Sequence, residues 1–206
     1  MLHVEKAFES PSRKTILSSQ SIRCPMIDGK LVGLRPLETE DVFVLFKWFN
    51  DERVLENLGA DNMFFATSLE EERLVVESMI RDHRSQFLII HRLEDHEPVG
   101  IIGLAGLDER NASAELRIVI GEVGAWDQGL GTDAVQVILE HGFNVRNLHR
   151  IWLRVLEYNK RALRCYEKCG FQMEGRVRQE MYHKGAWRDA YRMSILEEEF
   201  RGRERC

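Results

Sequence analysis

Cysteine, positive charge and long apolar runs are all scarce in this chain, and each shortage excludes something. Four cysteines in 206 residues, Cys24, Cys165, Cys169 and Cys206, show neither a C-x-x-C spacing nor a matching histidine pair. A zinc site and a secreted disulfide framework are therefore not indicated, no metal is expected, and a reducing cytoplasm is the expected setting. No run approaches the roughly 20 apolar residues of a membrane helix, and the N-terminus lacks the apolar core of a signal peptide, so no membrane partner is expected. With 29 Lys and Arg against 34 Asp and Glu, a net charge of -5, no basic surplus exists to hold a nucleic-acid backbone. What the chain does have is apolar mass: 44% of its residues are hydrophobic, enough to bury the core of one domain.

Residues 1–28, with "SPSRKTILSSQSIRCP", are polar, Ser-rich and aperiodic, and read as a loosely held extension. Residues 29–200 carry the periodic patterns of a domain, and 201–206, "RGRERC" after an acidic "EEE", read as a solvated tail. Within the domain, "GKLVGLRPL" predicts a strand stopped by Pro36, and "TEDVFVLFKWFN" a helix starting at Thr39 with acidic residues in its first turn. In "TSLEEERLVVESMIRDHR", Ser68 and Glu71 have the spacing of a capping box. Leu69, Leu74, Val75, Met79 and Ile80 are expected to share the buried face of that helix. Three apolar runs, "QFLIIHRL", "PVGIIGLAGL" and "ASAELRIVI", separated by polar turns, predict an antiparallel meander.

A helix is expected from Thr132 to about Val145, then a strand in "LHRIWLRVLE". In "NKRALRCYEKCGF", Asn159 caps a helix whose face carries Ala162, Leu163, Tyr166 and Cys169, and Gly170 is its left-handed stop. The last segment, "RVRQEMYHKGAWRDAYRMSIL", reads as two strands joined at "HKGA". The order predicts an α/β (α+β) fold: a single domain with a mixed, mostly antiparallel central sheet flanked by helices.

The stretch "WDQGLGTDAVQVILEHGF" places Gly129 and Gly131 between a strand and a helix. Glycine there lets successive backbone N–H groups point into one concavity, and the helix N-terminus adds its unpaired amides and positive dipole end. Two readings fit: a tight turn, or a pyrophosphate site. The dinucleotide fingerprint fails for want of a third glycine, and the P-loop for want of Gly-Lys-Ser/Thr.

From about Gly29 to Phe200 the chain resembles the GNAT superfamily of acetyl-CoA-dependent N-acetyltransferases. The resemblance is strongest over "AELRIVI", "WDQGLGTDA", "NLHRIWLRVLEYNKRALRCYEKCGF" and "EGRVRQEMYHKGAWRDAYRMSIL". There it looks like the branch of ribosomal-protein N-terminal and spermidine acetyltransferases. The family's pyrophosphate loop matches as Trp126-Asp127-Gln128-Gly129-Leu130-Gly131, with Trp126 where Arg or Gln is usual. The resemblance implies acetyl-CoA as cosubstrate, its pantetheine arm on the backbone of Ile118, Val119 and Ile120. It implies a pyrophosphate wrapped by Asp127, Gln128, Gly129, Leu130, Gly131, Thr132 and Asp133, with Asn159, Ala162 and Leu163 along the arm. Tyr166 holds the family position whose hydroxyl protonates the departing thiolate, and Glu115 is the candidate base.

Each residue also has a plainer reading: Tyr166 as a core tyrosine, Glu115 as an ion-paired glutamate, Asn159 as a helix cap. Cys165 and Cys169, one turn apart without histidine support, read as core packing, as does the cluster of Trp48, Phe49, Phe64 and Phe65. His141 and His149 read as structural. The expected reaction is acetyl transfer to a primary amine, on a peptide or protein N-terminus or a small molecule, by direct attack in a ternary complex. "GADNMFFATS" carries only Asp61 where spermidine enzymes tend to have an acidic pair, which departs from a polyamine acceptor. The acidic "NDERVLEN" keeps that acceptor open as the alternative. A non-catalytic CoA-binding sensor and a nucleotide-binding regulator are the rivals from other classes, and a homodimer is compatible with the final hairpin.

Overall fold

The computed structural model describes residues 27–58 and 68–203. Eight strands form one sheet: β1 (Ile27–Asp28), β2 (Val32–Pro36), β3 (Gln86–Arg92), β4 (Pro98–Asp108), β5 (Ser113–Ile120), β6 (Arg150–Leu156), β7 (Gln172–His183) and β8 (Ala186–Leu196). The helices are α1 (Val42–Phe49), α2 (Glu52–Leu55), α3 (Leu69–Arg81), α4 (Leu130–Glu140), α5 (Lys160–Cys169) and α6 (Glu197–Arg203). The strand order is β1-β2-β3-β4-β5-β6-β8-β7. Every neighbouring pair is antiparallel except β5 with β6. The mixed, mostly antiparallel sheet expected from the sequence is therefore what forms.

Both faces of the sheet are covered, which is why β3 and β4 read as continuous apolar runs rather than as alternating ones. Leu88, Ile90, Ile102 and Leu104 face α4, α5 and the buried Phe200 of α6, while Phe87, Ile89 and Ile101 face α1 and α3 with Trp48, Phe49, Val76 and Met79. Each such side chain contributes about 1.5–3 kcal/mol on full burial, so the layering and not the terminal hairpin holds the domain. Among the described residues no helix is long and apolar enough to cross a membrane.

Several local expectations change. Ile27–Asp28, inside the supposed extension, pair with Gly33 and Leu34 as a short edge strand. The supposed tail is instead α6 as far as Arg203, whose guanidinium donates to the Lys168 carbonyl at 2.6 Å. On α3 the Ser68 hydroxyl accepts from Glu71 N–H at 3.1 Å, as expected of a cap. The buried face, however, is Glu72, Val76 and Met79, with Leu74 and Ile80 exposed. That face follows the spacing i, i+4, i+7, and the apolar Leu74 lies off it. The helix expected from Thr132 begins earlier, at Leu130, and its last turn, His141–Val145, widens into a π-turn. Trp48 and Phe49 are core residues as expected; Phe64, Phe65 and Asp61 lie outside the described residues.

Candidate active site

The single parallel pairing is short. β5 and β6 are bonded only from Ser113–Glu115 to Arg150–Trp152, although β5 continues to Ile120 and β6 to Leu156. Beyond Glu115 and Trp152 the strands part, and a cleft of about 390 Å³ opens between them, floored by both strands and bounded by α4, α5 and α2. Strand polar groups alternate between the two edges. The Gly121 N–H donates to the Val99 carbonyl at 3.0 Å, and the register pairs Ile101 with Val119. Arg117 and Val119 therefore turn their main chain to β4, and Leu116, Ile118 and Ile120 turn theirs into the splay. Ile118 faces the splay with its main chain. Val119 does not: its amide is spent on β4 and its side chain packs on the α1–α3 face. Leu116, which the sequence reading passed over, also turns its main chain away from β4, at the end of the pairing with β6; only the register reveals which edge it presents.

At one end of the cleft α4 begins. Gly129 caps it with φ +82°, a left-handed conformation that costs glycine nothing, and Asp127 before it is left-handed at φ +60°. These turns point the loop's amides and the opening of α4 toward the cleft, which Asp127, Gly129, Leu130, Gly131 and Thr132 all line. Two expected members of the cradle point elsewhere. Gln128 sends its amide back to the Gly124 carbonyl at 2.7 Å. Asp133 is buried, its Oδ2 accepting from the N–H groups of Lys30, Leu31 and Val32 at 2.7–3.1 Å and its own N–H bonded to the Gly129 carbonyl. Asp133 thus ties the β1–β2 turn to α4, because three converging main-chain donors hold a carboxylate better than an anion of the same sign would tolerate it.

Trp126 has a definite task. Its Nε1 donates to the Ile120 carbonyl at 2.8 Å, and the Arg161 guanidinium stacks on its ring 3.8 Å from the centroid. The Ile120 carbonyl is thereby occupied, and Arg161 is fixed at the cleft wall by a cation–π contact. With Arg164 and Lys168 it gives the α5 side of the cleft a cationic lining. The sequence reading missed these three, although the basic spacing in "KRALRCYEK" carries the signal.

Asn159 lines the cleft and caps α5, its Oδ1 accepting from Ala162 N–H at 3.1 Å. Ala162 borders the cleft, while Leu163 is turned into the core. Tyr166 is buried, edge-on to Phe171 with ring centroids 5.8 Å apart, and lines the cleft. Burial, with the neighbouring Cys165 and Cys169, pushes its phenol above the usual range, so it is protonated at neutral pH. Glu115 sits where the strands part, but it is bridged: Arg117 donates to Oε2 at 2.9 and 2.7 Å and Arg154 Nε lies 3.5 Å from Oε1. Arg154 also donates to Glu180 at 2.8 Å, which links β5, β6 and β7 across the floor. Among the described residues no cluster of His, Cys, Asp and Glu could hold a metal ion.

The profile of the acetyltransferase (GNAT) domain matches residues 32–172, which span β2 to β6, the splay, α4 and α5. The chain belongs to the GNAT acetyltransferase family. As a GNAT protein it is an N-acetyltransferase, moving an acetyl group from acetyl-CoA to an amine. It is 28% identical over 169 residues to a spermidine N(1)-acetyltransferase of Escherichia coli, covering 82% of this chain and 88% of that one. An uncharacterised N-acetyltransferase of Bacillus licheniformis is 30% identical over 174 residues, covering 82% and 94%. Among solved structures, the spermidine N-acetyltransferase of Vibrio cholerae in complex with CoA and spermine superposes with a TM-score of 0.75. The two are 25% identical, covering 82% of this chain and 98% of that one.

Proposed function

We propose that acetyl-CoA lies in the β5–β6 splay with its diphosphate on the amides of Gly129–Thr132, and that the acceptor amine enters from the α2 side. The observation that carries this reading is the cleft itself. One wall is a strand edge whose Ile118 main chain is turned away from β4 beyond the last β5–β6 pair, the far end is a helix N-terminus behind a left-handed glycine, and α5 adds cations for phosphate. The Ile118 N–H faces the place where a thioester carbonyl would gather negative charge, and a fixed main-chain donor there is worth about 2.7–4 kcal/mol.

The neutral amine attacks the carbonyl carbon, the C–N bond forms, and the C–S bond breaks. Tyr166, protonated and buried beside the cleft, gives its proton to the departing sulfur. We assign Glu115 to holding Arg154 across the splay rather than to taking a proton, since both its oxygens are engaged by guanidinium groups. The amine's proton leaves through water in the open cleft.

The acceptor is a primary amine. The spermidine enzymes among the relatives support a polyamine. Against this, two of the three carboxylates lining the cleft, Glu115 and Glu180, are bridged by Arg154, the third, Asp127, lies in the loop before α4, and Glu56 is paired with Lys184. That pairing favours an acceptor of lower positive charge, such as a peptide N-terminus. A thiol-release assay over spermidine, N-terminal peptides, lysine peptides and aminoglycosides decides between them. Release with none of these amines, despite tight CoA binding, would overturn the assignment of the acceptor as a simple primary amine.

A further inference from the structure

The α2 end of the cleft is lined by apolar side chains from two clusters that remain separate among the described residues. Val54 of α2 is part of the apolar layer under α1 and α3, and Leu58 packs against that layer. Leu156 and Ala190, partners across β6 and β8, belong with Met181 to a small cluster on the final hairpin. The cleft runs between these two sets, and polar contacts tie their walls together across it. The Tyr158 hydroxyl, on a side chain packed against the hairpin cluster, donates to the Glu56 carbonyl at 2.8 Å. Lys184, in the turn between β7 and β8, pairs with the Glu56 carboxylate. The walls are therefore held near each other without closing the apolar gap.

The polar groups at this end are engaged. Glu115 and Glu180 are paired with Arg154 and Glu56 with Lys184, while the Asn57 amide donates to the Arg53 carbonyl at 3.0 Å. A second ammonium group would compete with a guanidinium or a lysine for those carboxylates. An uncharged aliphatic group meets no such competition and gains by leaving water.

We propose that this gap is a slot for an aliphatic side chain on the carbon that bears the acceptor amine, and that the enzyme acetylates peptides whose first residue is aliphatic. The proposal rests on the peptide acceptor and the coenzyme placement given above. An α-amine entering from the α2 side carries its first side chain between the two apolar walls. A polyamine or a lysine side chain brings only a run of methylenes with a further charged or polar group behind it. Ala190, the smallest of the four lining side chains, leaves the room that a larger residue there would fill.

The test measures thiol release from acetyl-CoA by the full chain, with peptides identical except for glycine, alanine, valine or leucine at the first position. Acetyl-CoA binding is followed separately by calorimetry. The kcat/KM should rise about fourfold for each methylene added, and aspartate or lysine at that position should fall below alanine. Ala190→Leu should erase the preference for leucine over glycine. Leu58→Ala, which widens the slot, should raise the ratio of phenylalanine to leucine peptides by about tenfold. Equal kcat/KM across the wild-type series, or a leucine preference that survives Ala190→Leu in a protein that still binds acetyl-CoA, would overturn the proposal. If Ala190→Leu no longer binds acetyl-CoA, Leu58→Ala decides, and an unchanged ratio there overturns the slot. Release with no peptide, although acetyl-CoA binds, would overturn the peptide reading instead. Butylamine and ethylamine would then judge the slot, with equal kcat/KM for the two refuting it.

Discussion

Replacing Gly131 with alanine separates what α4 needs to fold from what it needs to bind an anion. Gly131 is the second residue of α4, and a Cβ built there meets nothing nearer than Ile120 Cγ1 at 3.5 Å, an ordinary van der Waals contact. The folded chain accepts the methyl group, and alanine's greater helix propensity adds up to about 1 kcal/mol. In a chain of this size that raises Tm by up to about 2–4 °C. Gly129 offers no such separation, because at φ +82° any other L residue costs about 1–2 kcal/mol. In the proposed placement acetyl-CoA meets the opposite effect, since the methyl stands where the diphosphate would approach the amides. A tenfold weaker Kd corresponds to about 1.4 kcal/mol. Thermal shift with and without acetyl-CoA reads both terms. At a hundred times the wild-type Kd the ligand adds about 2.7 kcal/mol to the wild type, and about 1.4 kcal/mol to a variant that binds tenfold more weakly. The variant should therefore match or exceed the wild-type Tm when empty and show about half the ligand shift. A full ligand shift refutes the cradle; a lower Tm without ligand refutes the claim that the site has room.

Tyr166→Phe should lower turnover in a thiol-release assay by about 10²–10⁴ while calorimetry shows acetyl-CoA affinity kept; unchanged turnover removes the phenol from the reaction. Asp133→Ala deletes a carboxylate that accepts three buried main-chain donors and should cost about 3 kcal/mol in urea unfolding. Stability equal to wild type, with acetyl-CoA binding lost, would return Asp133 to the cradle. Glu72, fully buried on α3 with neither oxygen partnered, is raised by burial from 4.5 to about 7. The folded state then keeps a proton that the unfolded state has released between those values, so stability falls as pH rises through that window. At about 1.36 kcal/mol for each pH unit, the loss is on the order of 3 kcal/mol by pH 8. Glu72→Gln should remove that part of the slope between pH 5 and pH 8, and identical slopes in both proteins would contradict it.

Strand and helix periods, the glycine stop at Gly170 and the Ser68 cap are local, and all were legible in the chain. What was not legible is set by contacts distant in sequence. Asp133 looked like part of an anion loop because its partners, Lys30 to Val32, lie about a hundred residues earlier. Val119 and Ile118 are equally apolar in "ELRIVI", and only the β4 register decides which of them turns its main chain to the splay. Leu74 and Ile80 fit a helical spacing, but the chain phases α3 through Glu72, Val76 and Met79, burying a carboxylate that composition alone would leave in water. The departure at Trp126 was visible, whereas its compensation, an indole that occupies a carbonyl and fixes Arg161, requires the fold. Cys165 and Cys169 differ only in which side of α5 meets the cleft.

The central claim is tested most directly by a crystal structure of the chain with CoA. It should show the diphosphate within hydrogen-bonding distance of the amides of Gly129–Thr132, the pantetheine arm bonded to the main chain of Ile118, and the sulfur beside the Tyr166 hydroxyl. CoA seated outside the β5–β6 splay, or with its sulfur away from Tyr166, would contradict the account.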